Sequence, residues 1–404
     1  MTDAAILVCG APTRLPKPAA SMAERLKRSV YAIGERLEHC ALDVTLPAGS
    51  KVRLGNGPPV AAVELHDWGA ASALASKGDI GWGEAYVAGL WDCADIEALA
   101  AFAIRNENAF SNGFRPSALR RAAFLLTDRL LRRNSRAGSA RNIQAHYDVG
   151  DDFYRLWLDE SMTYSSALFD APGERLEVGQ ARKYRRLLDA TADAGPRTLE
   201  IGCGWGGFAE AAADDGRDVT AITISHRQHR YARERLGARA DIRLCDYRDI
   251  DGQYDSIVSI EMIEAVGERY WPKFFQTVRD RLAPGGVAAI QAIVVEDDYL
   301  PTYRRRSDFI RQHIFPGGML PSPGAIAATA HDAGLKTRNL FRFGQDYAQT
   351  LRMWTECFEA AVPEIRALGY DESFIRGWRY YLAICAACFA VGRTDVVHIE
   401  LSHA

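Results

Sequence analysis

The run Glu200-Ile201-Gly202-Cys203-Gly204-Trp205-Gly206-Gly207 constrains this chain more than any other stretch. Arg197 to Gly202 reads as a strand and Phe208 to Asp215 as a helix, so the glycines fall where a strand turns into a helix. Glycine at such a turn lets backbone N–H groups come close to a ligand and aims the helix N-terminus at it. The surrounding pattern agrees. Asp218 to Thr223, Ile242 to Cys245, Tyr254 to Ile260 and Gly286 to Val295 read as further strands, and His226 to Leu236 as a second helix. This alternation, which starts near Ala181, is that of a doubly wound α/β sheet.

Two ligand classes suit the loop. Gly202, Gly204 and Gly207 satisfy the G-x-G-x-x-G dinucleotide pattern, but that reading requires an acidic ribose ligand about 20 residues on. The second strand instead ends in Ala221-Ile222-Thr223-Ile224-Ser225, which disfavours a nicotinamide enzyme. The E-x-G-x-G-x-G form suits S-adenosylmethionine (SAM), with Asp246-Tyr247 after the third strand on the adenine side. Ser225 and Gln228 are the polar residues nearest the missing acid.

A chain of 404 residues predicts two domains. Ahead of the sheet, Met22, Leu26, Val30, Ile33 and Leu37 have helical spacing from Ser21 to Glu38, and Ala41 to Leu54 alternates as a strand. These begin a small α+β domain. Glycines surround aromatics in Gly78 to Tyr86, for close packing or turns, and a helix is predicted from Asp95 to Arg105. Next, Arg115, Arg120, Arg121, Arg129, Arg132, Arg133, Arg136 and Arg141 interleave with Leu119, Phe124, Leu125, Leu126, Leu130 and Leu131. That pattern suits a segment lying on an anionic bilayer, and equally an interdomain helix with a solvated basic face. Ser135 to Ser139 reads as a linker.

The net charge of -3 gives no support to a nucleic-acid partner. Eight cysteines form no framework, and Cys385-Ala386-Ala387-Cys388 has no second C-x-x-C pair to complete a metal site, so none is expected. Reduced thiols in a cytoplasmic protein are the simpler expectation. Met1 to Ala20 lacks the basic start of a signal peptide, and no run of about 18 apolar residues occurs, so contact with lipid is expected to be peripheral.

Several ordered motifs then resemble the cyclopropane-fatty-acyl-phospholipid synthase and mycolic acid cyclopropane synthase family of SAM-dependent methyltransferases. They are His146-Tyr147-Asp148-Val149-Gly150, Tyr164-Ser165, the glycine loop, Thr223-Ile224-Ser225-His226-Arg227-Gln228, Ser259 to Gly267, Ile314 to Ser322, Gly344 to Leu351 and Tyr380 to Cys385. The resemblance implies a Rossmann-like class I methyltransferase domain over 143–404. Before it would come a smaller α+β lipid-binding domain over 1–112 and a basic amphipathic linker over 113–142. It places SAM on Tyr164, Ser165, Glu200, Gly202, Gly204, Gly206, Thr223, Ser225, Gln228, Asp246 and Tyr247.

The implied reaction adds a methyl(ene) group from SAM to the double bond of an unsaturated phospholipid acyl chain, at the inner face of an anionic membrane. The resemblance also implies a bound bicarbonate as base, at positions that here are Ser166, Glu264, Gln291, Ile293 and Tyr347. Ser166 replaces a Cys, Gln291 replaces a His, and Ala265 stands where His is usual. These departures leave the product open between a cyclopropane and a methyl- or methylene-branched chain. Cys385 occupies a notable cysteine position of the family, although its neighbours Ala386, Ala387 and Phe389 suit a buried apolar thiol. Bland readings also exist for Glu264 on a helix surface, and for His146, Tyr347, Tyr303 and His313 as packing or structural groups. A small-molecule methyltransferase and a non-catalytic lipid-binding protein are the alternatives, and a homodimer is compatible with the family.

Overall fold

The computed structural model describes residues 27–109, apart from 29, 32, 33, 36, 38 and 39, and residues 149–404. Much of the helix predicted over Ser21 to Glu38, all of the arginine-rich stretch, the Ser135 to Ser139 linker and His146 lie outside the described residues. The described chain forms two units. One comprises the residues before 110 together with 305–316 and 362–391; the other comprises 149–304, 317–361 and 392–404.

In the first unit, β1 (Ala41–Thr45), β2 (Lys51–Gly55), β3 (Pro59–Leu65) and β4 (Trp91–Cys93) form a sheet in the order β2-β1-β3-β4. The alternation from Ala41 to Leu54 is therefore two strands. A turn closed by Leu46 N donating to Ser50 O (2.8 Å) and Gly49 N to Leu46 O (2.8 Å) folds them into an antiparallel pair. Gly78 to Tyr86 supplies most of the helix Asp79–Val87, and its glycines serve close packing. A Cβ on Gly83 would lie 2.4 Å from Phe309 and 2.6 Å from Tyr380. The helix Ile96–Arg105 starts at Asp95, whose carboxylate accepts the Ala98 N–H (2.7 Å), a cap worth about 1 kcal/mol.

The second unit is a seven-stranded sheet in the order β10-β11-β9-β8-β5-β6-β7. Its strands are β5 (Arg197–Ile201), β6 (Asp218–Thr223), β7 (Ala240–Leu244), β8 (Tyr254–Ile260), β9 (Leu282–Val295), β10 (Leu335–Arg342) and β11 (Thr394–His403). β5 to β9 run parallel, whereas β11 is antiparallel to both β9 and β10. Neighbouring strand residues enter different cores. Ile257, Ala288 and Ile290 join Trp271, Phe274 and Phe275, while Val258 and Ala289 join Leu187, Phe208 and Leu236. Because side chains alternate across a strand, these clusters cover opposite faces of the sheet, as a doubly wound fold requires. The chain passes from β5 to β6 and β7 on one side, then returns to β8 and β9 on the other. The crevice at the carboxyl ends of β5 and β8 is therefore the switch point where open α/β sheets bind ligands.

Candidate active site

β5 ends at Ile201, and the loop after it takes Gly202, Gly204 and Gly206 through φ of 87°, 52° and 86°, a region that side chains enter only with strain. The amides of Gly202 and Cys203 both donate to Ile222 O (2.9 and 3.0 Å), which ties the loop to β6. A Cβ on Gly204 would meet nothing within 4 Å among the described residues, so none of them crowds this turn. Gly207 opens the helix Gly207–Asp214 and is required by a close approach, since a Cβ there would stand 2.6 Å from the Tyr184 hydroxyl.

The other cofactor candidates cluster at the same edge. At the end of β6, Thr223 Oγ1 donates to Gln228 Oε1 (2.9 Å) and accepts the Ser225 amide (3.1 Å), while Ser225 caps the helix His226–Leu236. This arrangement commits the Gln228 carbonyl and turns its amide nitrogen into the donor it can offer. Asp246 and Tyr247 follow β7, with the Asp246 carboxylate held by Arg248 Nε (2.8 Å) and Nη2 (2.5 Å). Tyr164 packs among Tyr154, Trp157 and Trp354 at centroid distances of 5.4, 5.7 and 5.3 Å. Glu200 lies in β5 with its Oε2 buried and unpartnered among the described residues, and burial pushes its carboxyl up to about 8. An open glycine turn, a buried polar atom lacking a partner among the described residues and a partly exposed Tyr164 held by buried aromatic rings fit an amino acid–nucleoside cofactor such as SAM.

Beside this crevice, two carboxylates gather the donors that the sequence assigned to an anion. Glu261, just past β8, accepts from the Ser166 amide (2.9 Å), from Gln291 Nε2 (2.7 Å) and from the Tyr347 hydroxyl (2.9 Å). Glu264 accepts the Ile293 amide (2.5 Å) on one oxygen, while its other oxygen is buried without a partner among the described residues. Burial, reinforced by the neighbouring Glu261 charge, pushes the Glu264 carboxyl up to about 8. Both residues as a whole keep part of their surface exposed, although the free Glu264 oxygen itself is buried. Gln291 is oriented by its Oε1, which meets His398 Nε2 at 2.8 Å. His398 is a neutral imidazole, because burial and the Arg186 and Lys183 charges hold its pKa well below the usual range. A bicarbonate does not fit this arrangement: the Ser166, Gln291, Ile293 and Tyr347 donors are already engaged by Glu261 and Glu264.

Lys183, on the helix Leu176–Ala190, completes the centre. It is fully buried and donates to Ser165 Oγ (2.7 Å). Burial lowers its ammonium to about 7, while the Glu261, Asp159 and Glu200 carboxylates oppose that shift.

Ser166, Glu264, Gln291, Ile293 and Tyr347 therefore come together from distant parts of the chain. Glu261, Lys183 and His398 escaped sequence reasoning. A charged residue closing the buried strand Tyr254 to Ile260 was a signal for Glu261, whereas a Lys in a helical pattern ordinarily reads as surface. Cys385 belongs to the other unit, on the helix Glu372–Ala390, where burial and the nearby Cys388 push its thiol well above the usual range. It is an inert thiol rather than a thiolate at neutral pH. Among the described residues, no cluster of His, Cys, Asp or Glu could hold a metal ion.

Comparison with known proteins agrees with the geometry. The family described as mycolic acid cyclopropane synthetase matches residues 134–399. The chain is 39% identical over 351 residues to tuberculostearic acid methyltransferase UfaA1 of Mycobacterium tuberculosis, covering 81% of this chain and 79% of the relative. It is 34% identical to cyclopropane-fatty-acyl-phospholipid synthase of Escherichia coli, covering 83% and 86%. Among solved structures, the cyclopropane synthase MmaA2 from Mycobacterium tuberculosis aligns with a TM-score of 0.61 at 28% identity, over 65% of this chain and 97% of that one. Mycolic acid cyclopropane synthase CmaA1, solved with S-adenosylhomocysteine and CTAB, aligns with a TM-score of 0.60 at 28% identity, with the same coverage. The chain belongs to the mycolic acid cyclopropane synthetase family and is a SAM-dependent methyltransferase.

Proposed function

We propose that the protein methylates the double bond of an unsaturated fatty acyl chain carried on a phospholipid, and that proton loss from the methylated chain closes a cyclopropane. When bound, SAM supplies an electrophilic methyl group whose addition to one alkene carbon leaves the other cationic. An alkene is a weak nucleophile, so the chain's own task is to hold it in attacking geometry, keep water from the cation and remove a proton. The observation that carries the reading is the juxtaposition of an aromatic wall with a half-buried carboxylate pair. Tyr164, partly exposed and backed by the buried rings of Tyr154, Trp157 and Trp354, offers a ring face to a cation, and Glu261 and Glu264 offer the anion, with Tyr347 joining the two by its contact with Trp354 and its bond to Glu261. The Escherichia coli relative is named for this reaction on a phospholipid and aligns over 83% of the chain. The arginine-rich segment over 113–142 supports peripheral contact with an anionic bilayer, and no helix among the described residues is long and apolar enough to cross one.

A second reading, a methyl- or methylene-branched product, is favoured by Ala265 and Gln291, both of which stand where the family carries His, and by the methyltransferase name of the 39% relative. The test is to incubate the protein with methyl-labelled SAM and vesicles of mono-unsaturated phospholipid, then analyse the released fatty acids by mass spectrometry and proton NMR. A labelled gain of one CH2 supports alkene methylation, and ring or vinylic protons separate the two products. Cofactor binding with no labelled acyl chain refutes the reading.

A further inference from the structure

Glu261 is an unusual residue in an unusual conformation. It ends a buried strand as a carboxylate, and its φ of 49° lies in the left-handed region that non-glycine residues seldom occupy. That backbone aims the side chain inward, where three donors from three separate segments converge on it: an amide, a carboxamide and a phenol. A carboxylate and a bicarbonate share a planar, monoanionic O–C–O group, so one donor set serves either, and here the chain supplies the anion itself.

We propose that the Glu261 carboxylate takes the place of a bound anion at the reaction centre and is the base that accepts the proton from the methylated acyl chain. This rests on the alkene-methylation reading above. In the step, a C–H bond of the added methyl breaks: for a ring its electron pair bonds the cationic carbon next to the methyl-bearing one, whereas for a methylene branch a hydride first shifts from the methyl-bearing carbon to the cationic one and the pair then forms the C=C bond. In either case the proton passes to a Glu261 carboxylate oxygen. No oxidant or reductant is needed, and solvent takes the proton before the next turnover.

Glu261 suits this task better than its neighbour. Glu264 has one donor and a carboxyl raised to about 8, so at neutral pH it is mainly protonated. Burial also pushes the Glu261 carboxyl up, but the Ser166 amide, Lys183, Gln291 and Tyr347 act together to favour its charged form. Each of the three hydrogen bonds favours the anionic form, and a carboxylate whose proton affinity is raised above the ordinary glutamate range is a stronger base when it acts. The bland alternative is that Glu261 is only a counter-ion for Lys183, in which case its loss would affect folding and not the proton step.

The test has a turnover arm and a binding arm. In the first, the unmodified protein and Glu261→Gln are assayed on mono-unsaturated phospholipid vesicles, in CO2-free buffer and with added bicarbonate. Circular dichroism and SAM affinity verify the folded state. We expect unmodified turnover to be the same in both buffers, and Glu261→Gln to be slower by about 10²- to 10⁴-fold with SAM affinity retained. Stimulation of the unmodified protein by bicarbonate, or a Glu261→Gln variant within a few-fold of it, overturns the proposal. The second arm measures binding of 13C-bicarbonate by NMR to the unmodified protein and to Glu261→Gly, which relieves the left-handed strain and vacates the donors. Bicarbonate should bind the glycine variant alone. Binding to the unmodified chain, or to neither, overturns the assignment. Since this arm needs no turnover, it still reports on Glu261 if the acyl-alkene reading itself fails.

Discussion

Replacing Glu264 with glutamine should make the cofactor-free protein relatively more stable as pH rises. The Glu264 carboxyl moves from the usual 4.5 to about 8 on folding, because burial and the adjacent Glu261 charge disfavour ionisation. Below about pH 4.5 both folded and unfolded chains hold this proton. Between there and about 8 the folded chain keeps it while the unfolded chain has lost it, so stability falls with rising pH; above about 8 both are ionised and the loss is complete. At about 1.4 kcal/mol per tenfold change in proton affinity, the full shift is worth about 5 kcal/mol. The residue is only half-buried, so solvent screening should reduce the realised effect to about 2 kcal/mol. The glutamine of the variant would still accept the Ile293 amide but has no charge to bury, so the variant's stability should lack this slope. The assay is denaturant unfolding of both proteins at pH 5 and pH 9, comparing the change in their stability difference so that the fixed cost of substitution cancels. If the difference is the same at both pH values to within about 0.5 kcal/mol, the carboxyl is not buried against Glu261 and the reasoning fails.

Other substitutions test the remaining parts of the site. Gly204→Ala, at φ 52° with none of the described residues crowding it, should cost about 1 kcal/mol of stability yet weaken SAM binding by more than tenfold, as read by calorimetry. Gly207→Ala should cost about 1–3 kcal/mol through its 2.6 Å approach to the Tyr184 hydroxyl, and adding Tyr184→Phe should recover part of that loss in thermal unfolding. Neutralising Arg120, Arg121, Arg132 and Arg133 should reduce turnover on anionic vesicles, and added salt should reduce turnover of the unmodified protein in the same direction. Unchanged turnover in both experiments would remove the membrane role of that segment.

The sheet was legible because its strands are bounded by strong punctuation. Tyr254–Ile260, Asp218–Thr223 and the helix His226–Leu236 fall where their periodicity and caps put them. Ala41 to Leu54 was harder, since Leu46 and Val52 keep the alternation going across a turn that only the pairing of β1 with β2 reveals. The same limit applied at the site. Ser166, Glu264, Gln291, Ile293 and Tyr347 could be named from motifs, but motifs do not show which donor meets which acceptor. Gln291 read as a weakened anion ligand; in the fold its amide serves Glu261 and its carbonyl meets His398. Lys183 gave no signal at all, because burial of a lysine depends on the carboxylates that tertiary structure brings near it.

The make-up of the first unit has a consequence for biosynthesis. Arg376 donates to Tyr86 O (2.6 Å) and Trp91 O (2.8 Å), partners 290 and 285 residues earlier, and Tyr380 fills the face left open by Gly83. On the ribosome, β1 to β4 and their helices emerge long before these late segments exist, so their apolar faces must wait uncovered while the larger sheet is made. Such long sequence separations slow folding and leave the waiting surface open to misassembly. A fragment ending at residue 109 would therefore be a poor isolated domain. Producing this unit alone calls for a rewired chain that carries 305–316 and 362–391 with it.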